Sequence, residues 1–145
     1  MSEPFKIVLT SALTVIGGLL IFVIGQIITK FVLEPLQEFK KLLGKTSYSL
    51  VYFAGEIHTP VEGDTEKCRI ASDEFRKLSS SINSCVESIP FYDFWSWLSR
   101  GFIPPRHATS EAAGALIGIS NAVFHRDRSN NQTREATIKR ILSTN

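Results

Sequence analysis

Arg100 and His107 have six residues between them. An arginine can steady a phosphate, and a nearby histidine can move a proton, which together are the needs of RNA cleavage. Pro104 and Pro105 lie between the two and set a rigid turn. They are the candidate catalytic pair, and a spacing this loose is also met by chance. His125 with Arg126 and Arg128 is a second phosphate-binding candidate, and a basic helix end explains it equally well. Other templates fail. There is no Gly-rich phosphate loop, no G-x-S-x-G and no H-E-x-x-H. Cys68 and Cys85 form no Cys-x-x-Cys pair, and His58, His107 and His125 are scattered. No metal and no cofactor are expected. Both cysteines fall on one apolar helical stripe, where a thiol behaves as a small hydrophobe. The enzyme class is therefore the weaker expectation.

The residues that must position everything else run from Ile7 to Ile28, IVLTSALTVIGGLLIFVIGQII, 22 residues without a charge. At about 1.5 Å per residue this helix covers roughly 33 Å, enough to cross a hydrocarbon core of about 30 Å. A cleaved signal peptide would have an apolar region of only about 7–15 residues and a small-residue cleavage site. Here the run is longer and continues into Lys30-Phe31-Val32-Leu33-Glu34-Pro35. Lys6 alone flanks the N-terminal side, against Lys30, Lys40, Lys41 and Lys45 on the other. The positive-inside rule then places the C-terminal part in the cytoplasm of a single-pass protein. Ser11, Thr14, Gly18, Gly25 and Thr29 fall within roughly 60° on one helical face. Small and hydroxyl residues let helices approach closely in lipid, so this face is the expected site of membrane-helix packing. The bland alternative is that such residues are simply common in membrane helices.

After the span about 115 residues remain, enough for one small domain. There are 16 basic and 14 acidic residues for a net charge of +2, so nucleic acid is not expected as a partner. Glu34-Pro35 predicts a kink or short break. Leu36, Phe39, Leu43, Leu50, Phe53 and Ile57, with Thr46 filling a gap, step by three and four as in an amphipathic helix, and Tyr48, Val51 and Tyr52 widen the face near its end. His58 to Asp64 reads as a loop. Cys68, Ala71, Phe75, Leu78, Ile82, Cys85 and Ile89 form a second stripe. In the aromatic segment, Phe91, Trp95, Leu98 and Phe102 share a face expected to enter the core. Tyr92 and Trp97 point elsewhere, and a headgroup location for those two is the competing reading. Ser110 is placed as the cap of the next helix, with Leu116, Ile119 and Val123 buried and Asn121 beside them. A last short helix spans roughly 133–142.

The expected fold is all-α: residues 1–33 form an N-terminal segment and transmembrane helix, and residues 34–145 a small cytoplasmic helical bundle of about four helices. The stretches Ser88 to Trp95, Phe102 to Arg106 and Leu116 to Asn121, with Phe31 to Pro35 as F-x-x-E-P, resemble a widespread group of small bacterial single-span membrane proteins without assigned function. In layout the chain is similar to the membrane accessory proteins of type VI-B CRISPR systems, which join one span to a HEPN-like helical domain and assemble into pores supporting antiviral defence. Arg100 and His107 match the loose spacing of HEPN-type ribonucleases. The resemblance implies a self-associating bacterial inner-membrane protein with a pore-like or membrane-perturbing role. Its expected partners are the lipid bilayer and copies of itself. The alternatives are a membrane-anchored adaptor presenting its bundle to a soluble protein partner and a HEPN-like ribonuclease.

Overall fold

A computed structural model describes residues 3–59, 66–99, 103–124 and 130–143. Among the described residues the chain is helical with no strand. Helix α1 (Glu3–Ile28) passes through a π turn (Thr29–Leu33) straight into α2 (Glu34–Tyr52). Then follow α3 (Ala54–His58), α4 (Glu66–Ser88), α5 (Tyr92–Leu98), α6 (Arg106–Ala122) and α7 (Asn131–Leu142).

The break expected at Glu34-Pro35 is instead a π turn inside a continuous helix. Pro35 has no N–H to give the carbonyl one turn back, and its ring crowds that carbonyl. The chain answers by widening the turn just before it. The Glu34 N–H reaches back five residues to the Thr29 carbonyl, and Glu34 keeps helical angles.

Four helices close a ring. Helix α4 packs on α2 and α6, and α7 packs on α6 and α2. Neighbours are antiparallel: Lys45 pairs with Glu74 and Pro35 with Cys85 across α2 and α4, while Ser79 meets Ala113 and Arg76 meets Ser120 across α4 and α6. The ring's interior is built from the two stripes read in the sequence. Phe39, Leu43, Thr46, Leu50, Phe53 and Ile57 are buried against Cys68, Ala71, Phe75, Leu78, Ile82, Cys85 and Ile89. Thr46 resolves its buried hydroxyl by donating to the Leu42 carbonyl at 2.9 Å. Leu116, Ile119 and Val123 fill the α6 side, and Ile138 and Ile141 the α7 side.

Two local expectations are corrected, the Ser110 cap and the inward side of the aromatic segment. Helix α6 begins at Arg106, directly after the Pro104-Pro105 turn, so Ser110 lies within it and caps nothing. Asn121 is exposed and accepts a hydrogen bond from Arg76 Nη2 at 2.9 Å. In the aromatic segment the expected faces hold only in part: Trp95 packs against the core and Trp97 is exposed as read, but Tyr92 is the buried ring, while Phe91 and Leu98, and Phe94 beside them, are exposed. Phe102 lies outside the described residues.

The buried amide is Asn131, which opens α7. Its Nδ2 donates to the Ile57 carbonyl at 3.0 Å, and its Oδ1 accepts from Arg134 Nη1 at 3.1 Å. This ties the start of α7 to the end of α3. Asn131→Ala strands a buried carbonyl and is expected to cost about 1–3 kcal/mol, read as a lowered unfolding midpoint.

Candidate functional site

Ser11, Thr14, Gly18 and Gly25 lie on α1 and Thr29 opens the π turn that continues it, and all five are exposed. No residue of α1 is buried. It is long and apolar enough to cross a membrane. A Cβ placed on Gly17, Gly18 or Gly25 would meet nothing within 4 Å, so this face is open for a neighbour. The hydroxyls are partly committed. Thr14 Oγ1 donates to the Thr10 carbonyl and Thr29 Oγ1 to the Gly25 carbonyl, each at 2.9 Å. Their protons are satisfied within the helix, leaving lone pairs for any partner. Close backbone approach, rather than hydrogen bonding, is what this face offers.

Of the Arg100–His107 pair only His107 lies among the described residues. Arg100 lies outside the described residues, as do His125, Arg126 and Arg128. His107 is exposed in the first turn of α6. It borders a shallow cleft with Pro104, Pro105, Ala108, Glu111, Arg140 and Ile141. The two charged groups there answer one another, with Arg140 Nη2 donating to Glu111 Oε2 at 2.6 Å. Among the described residues no cluster of His, Cys, Asp or Glu could hold a metal ion. Cys68 and Cys85 are free and buried. Burial first, then the Glu38 carboxylate, pushes the Cys85 thiol up, against a weaker pull from Ser88. Its S–H points at the Pro35 carbonyl, 3.3 Å away. A protonated thiol held in a helix contact is a poor nucleophile.

Other surface features were less legible. Ser80, Ser81, Ser84 and Ser88 of α4 line an open cleft of about 450 Å³ with Glu38 and Leu42. At the far end of the bundle Tyr48, Val51, Tyr52 and Ile70 are exposed together. Tyr48 and Tyr52 stack with centroids 5.6 Å apart. Near them, His58 Nε2 lies 2.7 Å from Glu135 Oε2, and Lys139 also pairs with Glu135. Burial raises the Glu135 pKa, but the hydrogen bonds from Lys139 and His58 outweigh it, and the net shift is below the ordinary 4.5. A depressed carboxyl pKa gives stability that is present above the unfolded value and lost as pH falls through the folded one. Acid unfolding should therefore weaken the α3–α7 contact below pH 4.5. Glu135→Gln should remove that part of the pH dependence, about 1 kcal/mol or less as for other surface pairs.

Comparison with protein families, curated proteins and solved structures returned no match.

Proposed function

We propose that α1 spans the bacterial inner membrane once, with the bundle in the cytoplasm, and that copies of the chain associate through the Ser11, Thr14, Gly18, Gly25 and Thr29 face. The observation that carries this reading is the contrast between α1 and the rest. The bundle closes its own core without α1, yet α1 holds 15 exposed large apolar side chains between Phe5 and Ile28. At about 1.5–3 kcal/mol each, their removal from water is worth on the order of 20–40 kcal/mol, more than a small domain's whole stability. A bilayer supplies that environment. The open glycines then supply what a lone anchor does not need, a face for another helix.

The assembled spans act, in this reading, as a pore-like or membrane-perturbing accessory, with antiviral defence as its setting. That step is supported by the layout resemblance. The test is the mass of the purified protein in detergent by light scattering. A defined oligomer is expected, and a monomer at every concentration would overturn self-association.

The second reading is an anchored adaptor, favoured by the exposed Tyr48, Val51 and Tyr52 at the end of α2 away from α1, with Ile70 of α4 beside Tyr52. It requires that activity survive exchange of α1 for an unrelated span.

A further inference from the structure

We propose that the exposed aromatic face of α5 is a second membrane contact, seated in the headgroup layer of the bilayer beside the point where α1 emerges. This rests on the reading of α1 as a span. The argument is one of level along the helix axis. Val32 is 8% exposed and is the first buried residue among the described residues, so the bundle's lower rim begins there. It stands four residues past Ile28, the end of the charge-free run, which is about 6 Å along the axis. The headgroup region on each side of a bilayer is about 5–7 Å thick.

Helix α4 descends toward the same level. Cys85 is opposite Pro35, joined by the Sγ to carbonyl contact at 3.3 Å. Because α4 runs antiparallel to α2, the residues after Cys85 continue toward the bilayer. By Ile89 the chain has gone about 6 Å further, to the height of Phe31 and Val32. There it turns, and α5 begins. Tyr92 anchors α5 inward, with its ring edge-on to Phe39 at 6.4 Å. On the wheel, Tyr92, Trp95, Ser96 and Ser99 form the inward side, and Phe94, Trp97 and Leu98 form the opposite side.

That outward side is unusual for a surface in water. Phe91 is 82% exposed and Trp97 75%, with Phe94 and Leu98 about half exposed. Phe91 also has φ 54°, a left-handed backbone that a bulky residue rarely adopts. Strain is thus accepted at the residue that leads the aromatic face outward. Amphipathic rings such as tryptophan favour the boundary between chains and headgroups. The charges at this rim are mixed, Lys30 and Arg106 against Glu87 and Asp93, so the rings rather than the charges select the interface.

The test uses the full chain reconstituted in phosphatidylcholine–phosphatidylglycerol vesicles. The chain has two tryptophans, Trp95 and Trp97. Lipids brominated near the headgroup are expected to quench about half of the wild-type tryptophan emission, because an interfacial ring lies at that depth. Trp97→Phe, an exposed position, is expected to abolish most of that quenching while leaving the near-UV spectrum of the bundle. Emission that is unquenched, or quenching unchanged by Trp97→Phe, would overturn the proposal. Carbonate extraction of the same vesicles separates the two readings. Unquenched protein that resists extraction overturns the α5 contact alone, and unquenched protein that is extracted overturns the span as well. Quenched protein that is extracted keeps the α5 contact and removes the span.

Discussion

Gly18→Leu and Gly25→Leu together should dissociate the proposed oligomer in detergent, raising its Kd by about 10–100-fold, or about 1.4–2.8 kcal/mol. The prediction has two opposed parts. Within one chain leucine should help, since it favours a helix over glycine by roughly 0.8 kcal/mol and nothing stands within 4 Å of either new Cβ. Between chains it should hurt, because a side chain now stands where two backbones would approach. Loss of the oligomer with unchanged or increased helicity is therefore diagnostic of a packing face. Ile16→Leu, on the opposite side of α1 at about 100° per residue, should leave the mass unaltered. Thr14→Val should matter less than either glycine change, because the Thr14 hydroxyl already spends its proton on the Thr10 carbonyl. If the glycine variants remain oligomeric, association runs through another surface and the adaptor reading takes precedence.

How much of this was legible in the sequence depended on the length over which a pattern repeats. The stripes Leu36 to Ile57 and Cys68 to Ile89 each extend over several turns, and their three-and-four seam is buried, with Leu36 partly so, but Tyr48, Val51 and Tyr52, read as widening the first stripe near its end, are exposed. A seven-residue helix such as α5 has only two turns, too few for periodicity to identify its inward side. The deciding facts there are tertiary: the Tyr92 hydroxyl finds the Pro104 carbonyl, and its ring finds Phe39. Pro35 misled for a different reason. Its local preference against a helix at Glu34 is real, but one wider turn satisfies it at less cost than breaking the helix. Asn131 carried no signal at all, since a buried amide is recognisable only when its acceptor, the Ile57 carbonyl, is in place. For the candidate site, the glycine and hydroxyl face on α1 was readable because an isolated helix obeys its own wheel. The Arg100–His107 spacing remained only a spacing, with Arg100 outside the described residues.

Tyr92→Ala is expected to be the most damaging single change in the bundle, at about 3–5 kcal/mol, with Tyr92→Phe at about 1–2 kcal/mol. Tyr92 is 1% exposed and joins three elements. Its ring meets Phe39 of α2 edge-on. Its hydroxyl donates to the Pro104 carbonyl at 2.8 Å and lies 3.4 Å from Thr109 Oγ1. The Arg106 guanidinium sits 5.5 Å from the ring centre. Burial pushes the hydroxyl pKa up, so the group stays a donor throughout the neutral range. Removing the hydroxyl alone strands the Pro104 carbonyl in a dry site. Removing the ring also leaves a cavity at the junction of α2, α5 and α6. Near-UV circular dichroism during thermal unfolding in mild detergent reads both, because the signal comes from packed aromatics and not from α1. Trp97→Ser is the matched control, a larger ring removed from an exposed position, and should change stability by no more than about 0.5 kcal/mol. The pair separates the two sides of α5: Tyr92 holds the helix to the bundle, and Trp97 is free to serve the surface outside it. Equal losses for both would mean that the outward rings are core residues after all, and α5 would have no face to offer a bilayer.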